Sequence, residues 1–518
     1  MNLLAFAFAC KPSGEAYTLE VDIQLPPNQL DLFDDIDSVD LLVETDAGTE
    51  TYELSSSGAG ARSEFIGTDP LEEATIAIAG YDGGELIAFG RSELIDHSSG
   101  EGDVSILVAR VDDFAWVDMP QETAFSALAA SGDGSFILFG GAEGQVATTS
   151  SDEMTPLDGV WSLPVAPPSA DFSLTELTTM PPLDEEDFEY GSAGGPGRLG
   201  HTATRLRQGS GILLTGGSSM YEDQSHTSQS TWVFDPQSNT YTEGDPLSER
   251  RMLHTTAVGP TGQVFIIGGF GSAAPDVINP LETVEIFDPD SLTITPMSGN
   301  PRAGMIGSGA ARYGNEGVLI CGGMTIDISV QVAHSSECDL IGVEGALNDA
   351  EALEVGLIWP RMVAMDDDSV LLTGGYIGEL YTYYSQGARL EATERVFLYR
   401  DGSWSEVASM NNPRAQHAAA LLPDGRVLVA GGSVKTSNYF LFYNADALAC
   451  AEIYDPQTDE WTEVDNCDDD DAESSLPVRM ARPSYDVDPS YGVLIAGGYD
   501  EDGYALSSAA YFVGQPEL

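Results

Sequence analysis

Apolar residues along this chain gather in short runs that each stop at a glycine pair. Seven such runs occur: FILFGG (Gly140, Gly141), ILLTGG (Gly216, Gly217), VFIIGG (Gly268, Gly269), VLICGG (Gly322, Gly323), VLLTGG (Gly374, Gly375), VLVAGG (Gly431, Gly432) and VLIAGG (Gly497, Gly498). Successive pairs lie 76, 52, 54, 52, 57 and 66 residues apart. Four residues rich in Ile, Leu and Val are too few for a helix and predict a strand buried on both faces. A glycine pair at its end predicts a tight exit, because glycine tolerates positive φ and close backbone approach. Recurrence at this period predicts one supersecondary unit used repeatedly.

Polar turns set between aromatic or apolar residues supply the rest of the unit. In VFDPQSNTY, Phe234 and Tyr241 flank Asp235-Pro236; in IFDPDSLTI, Phe287 and Ile294 flank Asp288-Pro289; in IYDPQTDEW, Tyr454 and Trp461 flank Asp455-Pro456. LYRDGSW, with Tyr399 and Trp404, is a shorter form. Asp-Pro followed by polar residues is turn chemistry, so each segment predicts a hairpin. A second hairpin precedes each glycine pair, with turns such as Gly259 to Gln263 and Leu422 to Arg426. Each unit is therefore expected to hold four antiparallel strands.

Four apolar residues, a glycine pair and a spaced Tyr and Trp resemble the kelch motif, and the resemblance covers roughly residues 112–518. It implies an all-β, seven-bladed kelch-type β-propeller over 112–518. The final unit ends after a third strand, whereas Phe114 to Met119 (FAWVDM) has the pattern of fourth strands such as Leu292 to Met297. Phe114 to Met119 is accordingly expected to complete the last unit, which would remove two open sheet edges.

Residues 17–111 lack the repeat. Their alternating runs, among them YTLEVDIQL, SVDLLVET and VSILVARV, predict a small β-sandwich of the immunoglobulin or fibronectin kind. A degenerate eighth blade around ATIAIAGYDGGELIAFG is the alternative. Residues 1–10 (MNLLAFAFAC) resemble a bacterial lipoprotein signal ending at Cys10, with 11–16 a linker. That resemblance implies lipidation at Cys10 and a place on the bacterial outer membrane or cell surface, with a secreted or periplasmic protein as the alternative.

The chain carries 84 Asp plus Glu against 20 Lys plus Arg, a net charge of −64. Such a field repels nucleic acid and anionic membranes, so membrane association is expected through lipid alone, and a monomer is expected. Cys450 and Cys467 sit symmetrically about a hairpin turn, and Cys321 and Cys338 fall in one unit, so two local disulfides are expected, as in an oxidising compartment. The acidic stretches Asp184 to Tyr190 and Asp465 to Glu473 match no calcium-loop spacing and read as solvated charge.

The long connections all fall between second and third strands or between units, which predicts one loop-rich rim. Two of them are aromatic: Tyr381, Tyr383 and Tyr384 in one, and Tyr439, Phe440, Phe442 and Tyr443 in the next. These residues are candidate ligand contacts for a glycan or a protein. Arg198-x-x-His201, Arg251-x-x-His254 and Arg414-x-x-His417 recur at one repeat position, with Arg302 and Met305 read as the matching pair in another unit. Their arginines and histidines are candidate channel-lining residues. The resemblance extends to galactose-oxidase-like copper enzymes and to sialic-acid epimerases. No Tyr–His set for copper assembles here, so no metal or other cofactor is expected. A non-catalytic binding or scaffold protein is the expected function, with a carbohydrate-active enzyme at the channel mouth as the alternative.

Overall fold

The computed structural model describes residues 5–10, 17–45, 48–54, 74–92, 101–132, 134–145, 154–164, 174–182, 197–207, 211–221, 224–271, 279–326, 331–377, 381–382, 390–436, 446–464, 476–490 and 492–516. The described elements are strands apart from a single 3₁₀ turn at Leu32–Asp34. The Tyr383, Tyr384, Tyr439, Phe440, Phe442, Tyr443 and Cys467 assignments lie outside these residues. So do the linker 11–16, Asp184 to Tyr190 and Asp465 to Glu473.

In five units the glycine pair closes the second strand of a four-stranded antiparallel sheet; in units 1 and 4 that strand runs on past the pair, to Gly144 and Ile326, and the unit 4 sheet gains two further strands. Unit 2 is representative: Thr202–Arg205, Ile212–Thr215, Thr231–Asp235 and Thr240–Glu243 pair in that order. The residues that flank each Asp-Pro turn are direct cross-strand partners: Phe234 faces Tyr241, Phe287 faces Ile294 and Tyr454 faces Trp461. Tyr399 likewise faces Trp404. The turn aspartates cap their own turns, with Asp235, Asp288 and Asp455 accepting from the amides of Gln237, Asp290 and Gln457.

The four-residue runs are almost continuously apolar because each central strand belongs to two cores. In unit 2, Ile212 and Leu214 pack against unit 1 through Ile137 and Phe139, while Leu213 packs against unit 3 through Val264 and Ile266. In unit 6, Val427 and Val429 meet Leu371 of unit 5, and Leu428 and Ala430 meet Val493 and Ile495 of unit 7. The period-two alternation of a strand thus divides its side chains between successive apolar seams.

The seams run in a cycle. The first strand of each unit touches the first strands of its two neighbours, and Ser484–Asp488 of unit 7 touches Ala127–Ala130 of unit 1. Backbone bonds follow the same cycle. The second glycine of each pair donates to a carbonyl at the start of the next unit: Gly141 to Arg198, Gly217 to Arg251, Gly269 to Met305, Gly323 to Leu357, Gly375 to Arg414, Gly432 to Met480 and Gly498 to Thr123. Only glycine fits here. At Gly268 φ is +58°, and a Cβ would lie 2.0 Å from the Met305 carbonyl oxygen.

The last link joins the chain's two ends. Asp113–Thr123 pairs antiparallel with Leu506–Val513, placing Trp116 opposite Ala510 and Phe114 opposite Phe512. This is the pairing expected from the FAWVDM pattern. The free edge of this strand is held from outside: Asn28 donates to the Phe114 carbonyl (2.8 Å) and accepts from the Trp116 amide (3.0 Å), and Gln29 donates to the same carbonyl (3.1 Å). Side-chain amides here do what a further strand would do for an open edge.

Asn28 and Gln29 come from the N-terminal part of the chain. It holds one sheet of Ala5–Cys10, Tyr17–Gln24 and Glu101–Leu107, and a second of five strands ordered Gly48–Leu54, Ser38–Thr45, Thr75–Asp82, Glu85–Arg91, Ala109–Arg110. Val21, Ile23 and Ile106 of the first share a core with Leu41, Ile76 and Ile78 of the second. The ATIAIAG and ELIAFG runs are therefore a hairpin of this five-stranded sheet, not of an eighth unit. Its other face, through Leu42, Ala77 and Phe89, packs against Val117 and Met119.

Cys321 and Cys338 stand directly opposite each other in unit 4 and are disulfide-bonded. Cys450 is also disulfide-bonded. Among the described residues no helix is long and apolar enough to cross a membrane.

Candidate functional site

The three Arg-x-x-His segments lead into first strands, close to the axis of the cycle, and the two residues part company there. The arginines do not line the axis; all three are fully buried inside their own units. Each reaches the carbonyl of the first glycine of its own pair: Arg198 to Gly216 (3.3 Å), Arg251 to Gly268 (2.9 Å) and Arg414 to Gly431 (3.0 Å). A left-handed glycine turns its carbonyl out of the ladder, and the guanidinium supplies the donor that it lacks.

Buried guanidinium needs an anion, and the third strand supplies one. Arg251 pairs with Glu285 at 2.5 Å and Arg414 with Glu452 at 2.6 Å, all four side chains fully buried. Each carboxylate also accepts backbone amides: Glu285 from Ser248, and Glu452 from Asn411 and Asn412. In unit 2 the third-strand position is Trp232, and Arg198 turns instead to the Ser230 hydroxyl and the Pro181 carbonyl. The arginines hold units together.

Arg302 and Met305 are not the counterparts of Arg251 and His254. The carbonyl that receives the Gly269 amide belongs to Met305, so Met305 occupies the arginine position and Ser308 the histidine position. Arg302 sits three residues earlier and binds Asp339 from outside, at 3.1 Å.

His201 and His254 border the axial cavity, whereas His417 does not; its neighbour Gln416 does. Which partner each histidine has depends on the residue before the preceding glycine pair. His254 Nε2 bonds Thr215 (2.8 Å) of ILLTGG, and His417 Nε2 bonds Thr373 (2.8 Å) of VLLTGG. His201 meets FILFGG, whose Phe139 offers no hydroxyl, and neither of its ring nitrogens has a hydrogen-bond partner among the described residues. Burial, reinforced by Arg198, pushes His201 down to about 3; burial also holds His254 and His417 well below the usual imidazole range. These rings stay neutral at ordinary pH and offer no acid for catalysis.

That burial has a pH signature. The unfolded chain protonates His201 below about 6.5, but the folded chain refuses the proton down to about 3. Its contribution is complete above pH 6.5 and declines as the pH falls below it. Replacing His201 by Asn is expected to destabilise the protein at pH 7. The gap to wild type should close by about 1.4 kcal/mol per pH unit between roughly pH 6 and pH 4. Urea unfolding of both proteins across that range measures it; a gap independent of pH contradicts a buried neutral ring.

The cavity itself has a volume of about 450 Å³. One end is rimmed by Phe125, Gly200, Leu253, Trp359, Gln416 and Arg482, each two residues before a first strand, and the matching residue of unit 4 is Gly307, within Ile306–Tyr313. All seven have positive φ, from +49° at Arg482 to +65° at Gly200. Five are not glycine, and that backbone is uncommon for side chains as large as Leu and Trp. Rim carbonyls accept from rim amides, Phe125 from Gly200 (2.9 Å) and Gly307 from Trp359 (2.7 Å). Arg482 lies over the rings of Trp359 (4.5 Å) and Phe125 (4.9 Å). Below the rim the wall is threonine- and serine-rich, with Arg205, Arg361, Tyr485 and Asp486. Burial pushes the Asp486 carboxyl up to about 6, against the hydrogen bond that it accepts from the Ala130 amide.

The long connections rise on the rim side. Above unit 2, Ser218–Tyr221 pairs with Gln224–Thr227. Gln331–His334 of unit 4 pairs with Tyr381–Thr382 of unit 5, and Leu390–Ala392 of unit 5 pairs with Lys435–Thr436 of unit 6. Tyr381 is thus in a strand that bridges two units. Turns at the opposite end are short, such as Asp401-Gly402 between the last two strands of unit 5.

A family model described as the Kelch motif matches residues 414–467, the unit 6 repeat. Kelch-like protein 23 from Homo sapiens is 22% identical over 259 residues, and its Mus musculus counterpart 23%. The aligned region is 50% of this chain and 40% of either relative, so the chain spans under half the length of these relatives. A solved fungal alcohol oxidase of the AA5 family, in complex with copper, superposes with a TM-score of 0.52 at 14% identity, covering 77% of this chain and 75% of that one. The solved structure of YjhT aligns at 13% identity and a TM-score of 0.46, over 67% of this chain and 99% of that one. Among the described residues no group of three His, Cys, Asp or Glu side chains could hold a metal ion. The one bonded ring nitrogen of His254 and of His417 is engaged by threonine hydroxyls. Unit 6 thus carries a Kelch motif, its glycine-pair pattern recurs in six further units, and the chain shares the fold of the fungal oxidase.

Proposed function

We propose that this chain is a seven-bladed kelch propeller, the seven units being its blades, carried on a small β-sandwich formed by residues 17–111. In this reading it is a non-catalytic binding protein that engages a protein or glycan through the loop-rich rim. One observation carries the reading: the second-to-third-strand connections extend beyond the ring and pair across blades 4, 5 and 6. That makes a continuous raised surface on a rigid scaffold, where binding residues concentrate. The repeat-equivalent Arg and Glu side chains bond within their own blades, and His254 and His417 bond the preceding blade, which commits them to structure. The same reading takes Cys10 as a lipid anchor and the outside of a bacterial cell as the location.

The test presents purified protein to glycan arrays and to cell-surface proteins. Wild type is expected to show saturable binding to one class, weakened at least about tenfold by joint Tyr381→Ala, Tyr439→Ala and Tyr443→Ala substitution. Oxidation or epimerisation of a bound sugar would instead establish the enzymatic alternative. Palmitate-analogue labelling that survives Cys10→Ala would remove the anchor.

A further inference from the structure

We propose that the axial cavity is a binding site for a small oxyanion, a carboxylate or sulfate group, held by Arg361 and Arg482. This inference does not rest on the loop-rim reading.

Arginine is scarce in this chain: Lys and Arg together number 20 against 84 acidic residues. Yet the cavity wall includes Arg205, Arg361 and Arg482, with Asp486 as its one carboxylate. Arg205 is drawn toward Asp488, 3.7 Å away. Arg361 makes no ion pair among the described residues; it donates to the His417 carbonyl (2.6 Å) and lies 5.2 Å over the Tyr485 ring. Arg482 is stacked between Trp359 and Phe125. Burial pushes Arg482 down to about 10, with Arg361 adding to the drop and Tyr499 and Tyr376 opposing it. Two guanidiniums that repel each other in a low-dielectric cavity are relieved when an anion sits between them.

The geometry favours an oxyanion over other ligands. Guanidinium presents a planar fork that matches carboxylate and sulfate oxygens. Aromatic rings fix both planes, so little side-chain freedom remains to be lost on binding. Thr202, Thr204, Thr255, Thr256, Ser126 and Ser484 line the remaining wall, where hydroxyls suit a polar ligand body. A volume of about 450 Å³ suits a small molecule and excludes a folded chain. The rim residues with positive φ that shape this end have the backbone often found at ligand sites. The surface charge of −64 repels any anion at long range. Binding is therefore a short-range property of the cavity, best seen at about 0.15 M salt, where screening acts over roughly 8 Å.

Calorimetric titration of the full chain with sodium sulfate, and separately with sodium acetate, tests this. Saturable binding of at least one is expected; the tighter of the two tells an inorganic oxyanion from a carboxylate. Arg361→Gln should weaken it about tenfold or more, with an unchanged circular dichroism spectrum. Arg361→Lys, which keeps the charge and loses the fork, should also weaken it and covers the case in which the glutamine variant does not fold. Absence of saturable binding with both salts, or equal affinity in a folded Arg361 variant, overturns the proposal.

Discussion

Replacing Glu452 by alanine is expected to destabilise the protein by about 3–5 kcal/mol, because it strands a fully buried Arg414 guanidinium and two backbone amides. Restoring neutrality should recover most of that loss: in Arg414→Met with Glu452→Met the charge that made the single change costly is gone. Urea denaturation of the two proteins measures both effects. Glu406→Ala is the control. It removes the partner of Arg395 in a pair whose side chains are 29% and 45% exposed, and exposed pairs contribute about 0–1 kcal/mol. If Glu452→Ala behaves like Glu406→Ala, the buried pair is not the bolt described above.

The second large effect is expected at the seam where the chain meets itself. Phe114 is fully buried, stacks on Phe512 at 5.0 Å, and belongs to a strand that is contiguous with no other part of unit 7. Phe114→Ala should cost about 3–5 kcal/mol. It should also expose Asp113–Thr123 to limited proteolysis before any other strand is cut, since this strand alone completes a unit without a covalent turn. Uniform proteolysis, or a cost below about 1 kcal/mol, would mean that the ends do not clasp the ring.

The scaffold was legible in the sequence because its physics is local and repeated. A strand serving two seams must be apolar almost throughout, and its exit must be glycine; both marks recur in all seven units, with Thr215 and Thr373 as the polar exceptions. The clasp was legible for the same reason, since Phe114 to Met119 carries a fourth-strand pattern. The axial residues were harder to place. Arg198, Arg251 and Arg414 look like channel residues on a repeat map, but direction decides their role, and spacing does not encode direction. A signal for their true role was present: Glu285 and Glu452 sit between apolar residues inside Val284–Asp288 and Ala451–Asp455, a position that demands a buried cation. The misplacement of Arg302 has a related cause, because unit 4 carries Met305 at the arginine position and its arginine lies three residues earlier. Arg361 and Arg482 went unnoticed because rim and wall positions vary from unit to unit, and the repeat that reveals the scaffold is silent where the units differ.

The end-to-end clasp also sets a timetable for biosynthesis. Gln515 bonds Asp112, 403 residues earlier. A ribosome adding about 5–20 residues per second needs roughly 20–80 s to deliver the partner. Through that interval Asp113–Thr123 is an unpaired strand in a crowded cell. Asn28 and Gln29, already synthesised, engage the edge that faces away from the awaited partner, and Phe89 and Leu42 cover one of its faces. The N-terminal sheets can thus act as an intramolecular holdase, keeping the first-made strand from self-association until the last-made strand arrives.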